Sequence, residues 1–215
     1  MTDTKQPQPS PTELSRIVQR RSGQATVPAA QGVLFAYVDN SNVWIEGQRI
    51  QAVHRGLARD PYDAMARKIS APWAYDFGRL YEIMCPLGSN IGRSLLVGSR
   101  PPPNDSVWDR ARNEGFEVDI FDRNASNKEK QVDSHIVTTM MEDSFIHMNP
   151  ERADVAVLAA GDGDYLPTVR SLQKRHLKVR VVFWKHATSR ELRDTADEFV
   201  ALDQRFDRLT LSPRS

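Results

Sequence analysis

The sequence predicts an α/β domain with a central, mainly parallel sheet of about five or six strands, and three observations predict it. Short apolar runs recur along the chain. Helical patterns separate them, the alternation expected of a parallel sheet flanked by helices. Polar residues able to do chemistry gather just after those runs, where open parallel sheets bind their ligands.

The elements follow in order. Residues 1–30 contain Pro7, Pro9, Pro11 and Pro28 and little apolar besides Leu14, Ile17 and Val18, so they are expected to form a flexible tail with a short helix from Thr12 to Arg21. No basic start leads into a 7- to 15-residue apolar stretch, so the tail reads as neither signal peptide nor membrane anchor. Val33 to Val38 reads as the first strand. Trp44 to Pro72 is a helical excursion, and Tyr75, Leu80, Ile83 and Met84 mark a helix before a strand at Leu95 to Val97. Ser106 and Asp109 have capping-box spacing and open a helix that ends near Gly115. A third strand at Phe116 to Phe121 precedes a long helix carrying Val132, Ile136, Val137, Met140 and Met141. Val155 to Ala160, a helix with Leu166, Val169 and Leu172, Val179 to Trp184, a last helix capped at Thr188 with Glu191, and a sixth run at Phe199 to Leu202 complete the pattern. The expected organisation is a tail over 1–30, one domain over 31–208 and a short C-terminal tail over 209–215.

Composition excludes several classes. Hydrophobic residues make up 40% and charged residues 27% of the 215, which argues against disorder and against a membrane protein. Nowhere do 18 apolar residues run together. The lone Cys85 excludes an intramolecular disulfide and a Cys-cluster zinc site, and suits a reducing cytoplasm. A net charge of +1 excludes coating of duplex nucleic acid by bulk charge, so contact with nucleic acid must come from local patterning. No phosphate-binding Gly-Lys-Ser or Gly-Lys-Thr element occurs, and His54, His135, His147, His176 and His186 show no HExxH spacing. His135 reads as a helix-surface or core residue.

The strand endings are Asp39-Asn40-Ser41-Asn42, Arg100, Asp122-Arg123, Gly161-Asp162-Gly163-Asp164 and Trp184-Lys185-His186. Asp162 and Asp164 either point toward one spot or cap the helix that follows. Two carboxylates about 4 Å apart repel by roughly 4 kcal/mol at an effective dielectric near 20. A divalent cation offsets that directly, and an all-oxygen donor set favours Mg²⁺ or Mn²⁺ over zinc. Asp39 closes an otherwise apolar strand, with a turn residue as the plainer reading. Asp133 shares a helix face with Ile136, Val137 and Met140, a costly place for an unpartnered carboxylate, although the helix dipole also favours an acid in a first turn.

Tyr37-Val38-Asp39-Asn40-Ser41-Asn42, Lys130-Gln131-Val132-Asp133 and Ala160-Gly161-Asp162-Gly163-Asp164-Tyr165-Leu166-Pro167 together resemble the NYN domain family, a branch of the PIN-like metal-dependent ribonucleases, over about Val33 to Leu202. The resemblance implies a PIN-like three-layer α/β/α domain. It further implies that Asp39, Asp133, Asp162 and Asp164 form an acidic site for Mg²⁺ or Mn²⁺, and that Asn42 helps arrange the first-strand loop. Many relatives carry another acid six positions after the helix aspartate, where this chain has Thr139. Asp143 lies ten positions on, roughly 15 Å along a helix at 1.5 Å per residue, and does not replace it.

The expected activity is hydrolysis of RNA phosphodiester bonds, with Asp39, Asp162 and Asp164 on the metal and Asp133 binding metal or orienting water. Arg100, Arg123, Lys128, Lys130, Lys185 and Arg190 are candidates for the RNA backbone, each also readable as a solvated surface charge. Trp44 and Trp184 are candidates for stacking on unpaired bases, with core packing as the second reading of Trp184. A haloacid-dehalogenase-type phosphatase needs an aspartate two positions after Asp39, where Ser41 stands. The alternative from another class is a non-cutting module of the same fold that binds RNA or a protein. The N-terminal tail is a candidate contact for a protein partner or a homo-oligomer.

Overall fold

Val33–Asp39 forms β1, and six of its seven residues are buried, as expected of a strand covered on both faces. The computed structural model describes residues 32–100, 106–122 and 128–211; the side chains of Arg100, Asp122 and residues 128–130 fall outside that description. β2 (Asn90–Arg100), β3 (Glu117–Asp122), β4 (Val155–Ala159), β5 (Lys178–Phe183) and β6 (Glu198–Ala201) complete a six-stranded sheet of order β3-β2-β1-β4-β5-β6. Every pairing is parallel. The order reverses between β1 and β4, so the crevice at their carboxyl ends is the place where such sheets receive ligands.

Helices flank the sheet. β1 runs without a loop into α1 (Asn40–His54), followed by α2 (Pro61–Ala66) and α3 (Phe77–Met84). α4 (Ser106–Asn113) precedes β3, and Gly115, at φ 104°, takes a left-handed turn that L side chains resist. α5 (Lys128–Ile146) lies against β1, β2 and β3, α6 (Leu166–Lys174) against β5, and α7 (Arg190–Thr195) and α8 (Phe206–Leu209) close the chain. The core joins apolar residues from all six strands and from each of these helices except α2, centred on Tyr37, Leu96, Leu158, Tyr165, Phe183 and Trp184.

The expected elements are present with shifted bounds. β2 extends well beyond Leu95 to Val97 on both sides. The excursion from Trp44 to Pro72 is α1 and α2, so Asn40, Ser41 and Asn42 are a first helical turn and not a loop. The cap of α7 is Ser189, whose hydroxyl accepts from the Leu192 amide at 3.1 Å; Thr188 instead donates to the Trp184 carbonyl at 2.7 Å. Ordered chain continues past residue 208: Leu209 is buried, and Thr210 bridges to Tyr75 and accepts from Trp73 Nε1 at 2.9 Å. The short helix expected from Thr12 to Arg21 lies outside the described residues.

Candidate functional site

Side chains alternate along a strand, so Tyr37 and Asp39 share one face of β1, the face that α5 covers. α5 runs antiparallel to β1, as two contacts show. The Tyr37 hydroxyl donates to Asp143 Oδ2 at 2.7 Å near one end of the helix, while Asp39 meets Asp133 near the other. Asp143 is buried and also ion-paired to Arg93 at 2.7 Å. It belongs to the structural frame and lies well away from the carboxylates at the strand ends.

Asp39 is the N-cap of α1. Its Oδ1 accepts from the Asn42 amide at 3.0 Å and its Oδ2 from Asn42 Nδ2 at 2.8 Å. Asn42 therefore holds both oxygens, and the capping role that the sequence did not reveal follows from the absence of a loop after β1. Asp39 is buried, and burial pushes its carboxyl up to about 7; the two Asn42 bonds oppose this, and the neighbouring Asp133 adds to it. Asp133, half-buried, is raised by burial against the bonds that favour its charge, with the charges of Asp162 and Asp164 adding to the rise. The Asp39 and Asp133 carboxyls lie within hydrogen-bonding reach of each other. Two carboxylates so placed need a shared proton or a cation between them.

The end of β4 completes the arrangement. Asp162 caps the turn Gly163–Tyr165 by accepting from the Asp164 amide at 3.0 Å, so the capping reading holds for this residue. Both carboxylates are exposed to solvent. Gly161 is required by close approach: a Cβ there would run into the Phe183 ring and the Ala187 carbonyl. The Ser189 amide donates to the Gly161 carbonyl at 2.9 Å, which draws the segment after β5 onto the Asp162–Asp164 turn.

Tyr165 was quoted in the sequence only as part of a motif, and its role emerges here. The ring is fully buried, and its hydroxyl donates to Asp133 Oδ1 at 2.8 Å. Burial first, and then the nearby carboxylates, keep the phenol protonated. Nothing in the sequence separates this tyrosine from an ordinary core residue.

The other candidates divide. Trp184 is completely buried and donates to the Val43 carbonyl at 3.0 Å, so it packs in the core and does not stack on a base. Trp44 is 37% exposed. Lys185 is exposed, and Arg190 is exposed beside Asp194 Oδ2 at 3.4 Å. The backbone of Arg100 ends β2. Its side chain, those of Lys128 and Lys130, and the whole of Arg123 lie outside the described residues.

The donor set is all oxygen, which fits a hard divalent cation. Among the described residues, however, no three carboxylate, imidazole or thiol groups converge closely enough to hold an ion together. The tight element is the Asp39–Asp133 pair, with Asp162 and Asp164 acting on Asp133 through space. A carboxyl pair, one buried and one half-buried, that needs neutralising is the feature that fits a cation. Among the described residues no helix is long and apolar enough to cross a membrane.

A family model described as the NYN domain matches residues 40–203, a span that starts one residue after Asp39 and includes Asp133, Asp162 and Asp164. A comparison with curated proteins finds no match. Among solved structures, a protein of unknown function from Vibrio parahaemolyticus RIMD 2210633 is similar at a TM-score of 0.60 and 20% identity. The similarity covers 85% of this chain and 98% of that one, and at such identity it speaks for the fold alone.

Proposed function

The chain belongs to the NYN domain family, and from that premise we propose that it is a divalent-metal-dependent ribonuclease hydrolysing phosphodiester bonds in single-stranded or structured RNA, in a reducing cytoplasm. The observation that carries the reading is the Asp39–Asp133 carboxyl pair at the β1/β4 switch point, with Asp162 and Asp164 beside it.

Asp39 and Asp133 would hold Mg²⁺ or Mn²⁺, with Asp162 and Asp164 directly or through water. The ion, when bound, supplies Lewis acidity to a phosphodiester oxygen and to the attacking water. The chain's own residues do the rest. Asn42 fixes Asp39 by both oxygens and Tyr165 fixes Asp133 by one, so that Asp133, beside Asp39, would orient a water or accept a proton. Lys185 and Arg190, exposed on the segment drawn against the Asp162–Asp164 turn, would meet RNA phosphates.

Labelled single-stranded RNA incubated with the purified protein in Mg²⁺ or Mn²⁺ tests this. Cleavage is expected with the ion, and is expected to be lost in EDTA and in Asp162→Asn. Binding without cleavage across several RNAs would replace the reading with a non-cutting RNA-binding module.

A further inference from the structure

The carboxylates are flanked by a cavity of about 230 Å³ that they do not themselves line. Its walls come from the first turns of α1, the end of β2, the segment before α3, and α4. We propose that this cavity is a subsite for one unpaired nucleobase of the RNA whose phosphate lies at the Asp39–Asp133 pair; the proposal deepens the ribonuclease reading and rests on it.

The walls are aromatic and fixed before any ligand arrives. The Trp44 indole is held by a bond from Nε1 to the Trp73 carbonyl at 2.9 Å, yet 37% of the residue stays exposed. Tyr75 stacks on Trp73 at 5.6 Å and meets Phe77 edge-on at 4.9 Å. The Trp108 indole packs against β2 at Gly98, where a Cβ would collide with it. Preformed aromatic surface suits any base, since every base has a π face.

Polar groups are few. The Tyr75 hydroxyl donates to Asn40 Oδ1 at 2.6 Å, which directs the Asn40 carboxamide so that its NH₂ is the end left to a ligand. The Ser41 and Ser99 hydroxyls face each other at 3.4 Å, and Arg110 stands exposed at the lip. A mostly apolar cleft with a few directed donors is the usual form of a site for a flat heteroaromatic ligand. Asn40 and Ser41 directly follow Asp39, and consecutive Cα atoms lie about 3.8 Å apart, so base pocket and carboxyl pair are within one nucleotide of each other.

The test measures equilibrium binding of a short fluorescent single-stranded RNA in EDTA, so that no cleavage intervenes. It compares that RNA with copies carrying one abasic ribose at each position in turn. The proteins are the full chain, Trp44→Ala, which removes a wall, and Val107→Trp, which fills the cavity from α4; melting curves confirm that each folds. One abasic position is expected to weaken binding to the parent protein about tenfold or more, and the same change to have little effect in both variants. Equal binding of all RNAs by the parent protein, or an abasic penalty undiminished in both variants, overturns the proposal. Cleavage in Mn²⁺ without any abasic penalty overturns the pocket and leaves the nuclease standing. An abasic penalty without cleavage upholds the pocket and overturns the nuclease, and no RNA binding at all overturns both.

Discussion

Asp39 is held in a position that costs the fold stability, since its carboxyl sits buried against that of Asp133. Asp39→Asn replaces one acid with an amide whose NH₂ bonds Asp133 without a shared proton, once the Asn42 carboxamide turns to offer its oxygen in place of Nδ2. The variant is therefore expected to melt about 2–5 °C higher than the parent in EDTA, a familiar exchange of stability for function. In the same experiment Mn²⁺ should raise the melting temperature of the parent and not of the variant; an equal shift in both would remove Asp39 from the metal site. Tyr165→Phe keeps the buried ring and deletes one donor to a charged acceptor, a loss of about 1.5–3 kcal/mol. RNA cleavage by this variant, measured well below its melting point, is expected to fall about tenfold or more in kcat, while the melting temperature falls by about 3–12 °C. An unchanged kcat would mean that Tyr165 is only a core residue.

Three elements meet at His186, which follows β5 and is almost wholly buried. Its Nε2 lies 3.0 Å from Glu46 on α1, and its Nδ1 faces Asp203, just after β6, at 3.9 Å. Burial opposes the charged ring, but Asp203 and Glu46 outweigh it and hold the imidazole above its ordinary pKa; Arg49 on the next turn of α1 pairs with Glu46. A group raised in the fold stabilises fully below its unfolded value of about 6.5, and the contribution disappears as pH rises through the folded value. Stability against urea should therefore decline from about pH 6.5 upward, and His186→Gln should flatten that decline; parallel curves would show the ring to be neutral throughout. Legibility also differed by element. Buried parallel strands are continuous apolar runs, so β1, β4 and β5 were readable almost to their ends. β2 was readable only at Leu95 to Val97, because Gly92 and Gly98 leave their space to Phe35 and Trp108 and because Arg93 reaches Asp143. Asp39, Asp162 and Asp164 were legible as acids at strand ends, and Asp133 as an acid on an apolar helix face. The pocket beside them was not, since its walls come from four separate stretches that only the fold brings together.

Among the described residues the hydrophobic cluster runs from Val33 to Leu209. A fragment of residues 31–211 keeps that cluster whole and is expected to unfold in one cooperative transition; a broad or multistep melting curve would show that it does not fold by itself. The near-zero net charge of +1 also takes on a local meaning, because Asp39, Asp133, Asp162 and Asp164 act on one another at one crevice and a bound cation would leave its surroundings more positive than the sum. The central position of β1 has a consequence during synthesis. Its partner β4 pairs Leu34 with Val155, about 120 residues later, which at roughly 5–20 residues per second leaves one edge of β1 unpaired for on the order of ten seconds. Asp162 and Asp164 emerge later still, so a nascent chain holds the first carboxylate of its site long before the strand that brings in the last two.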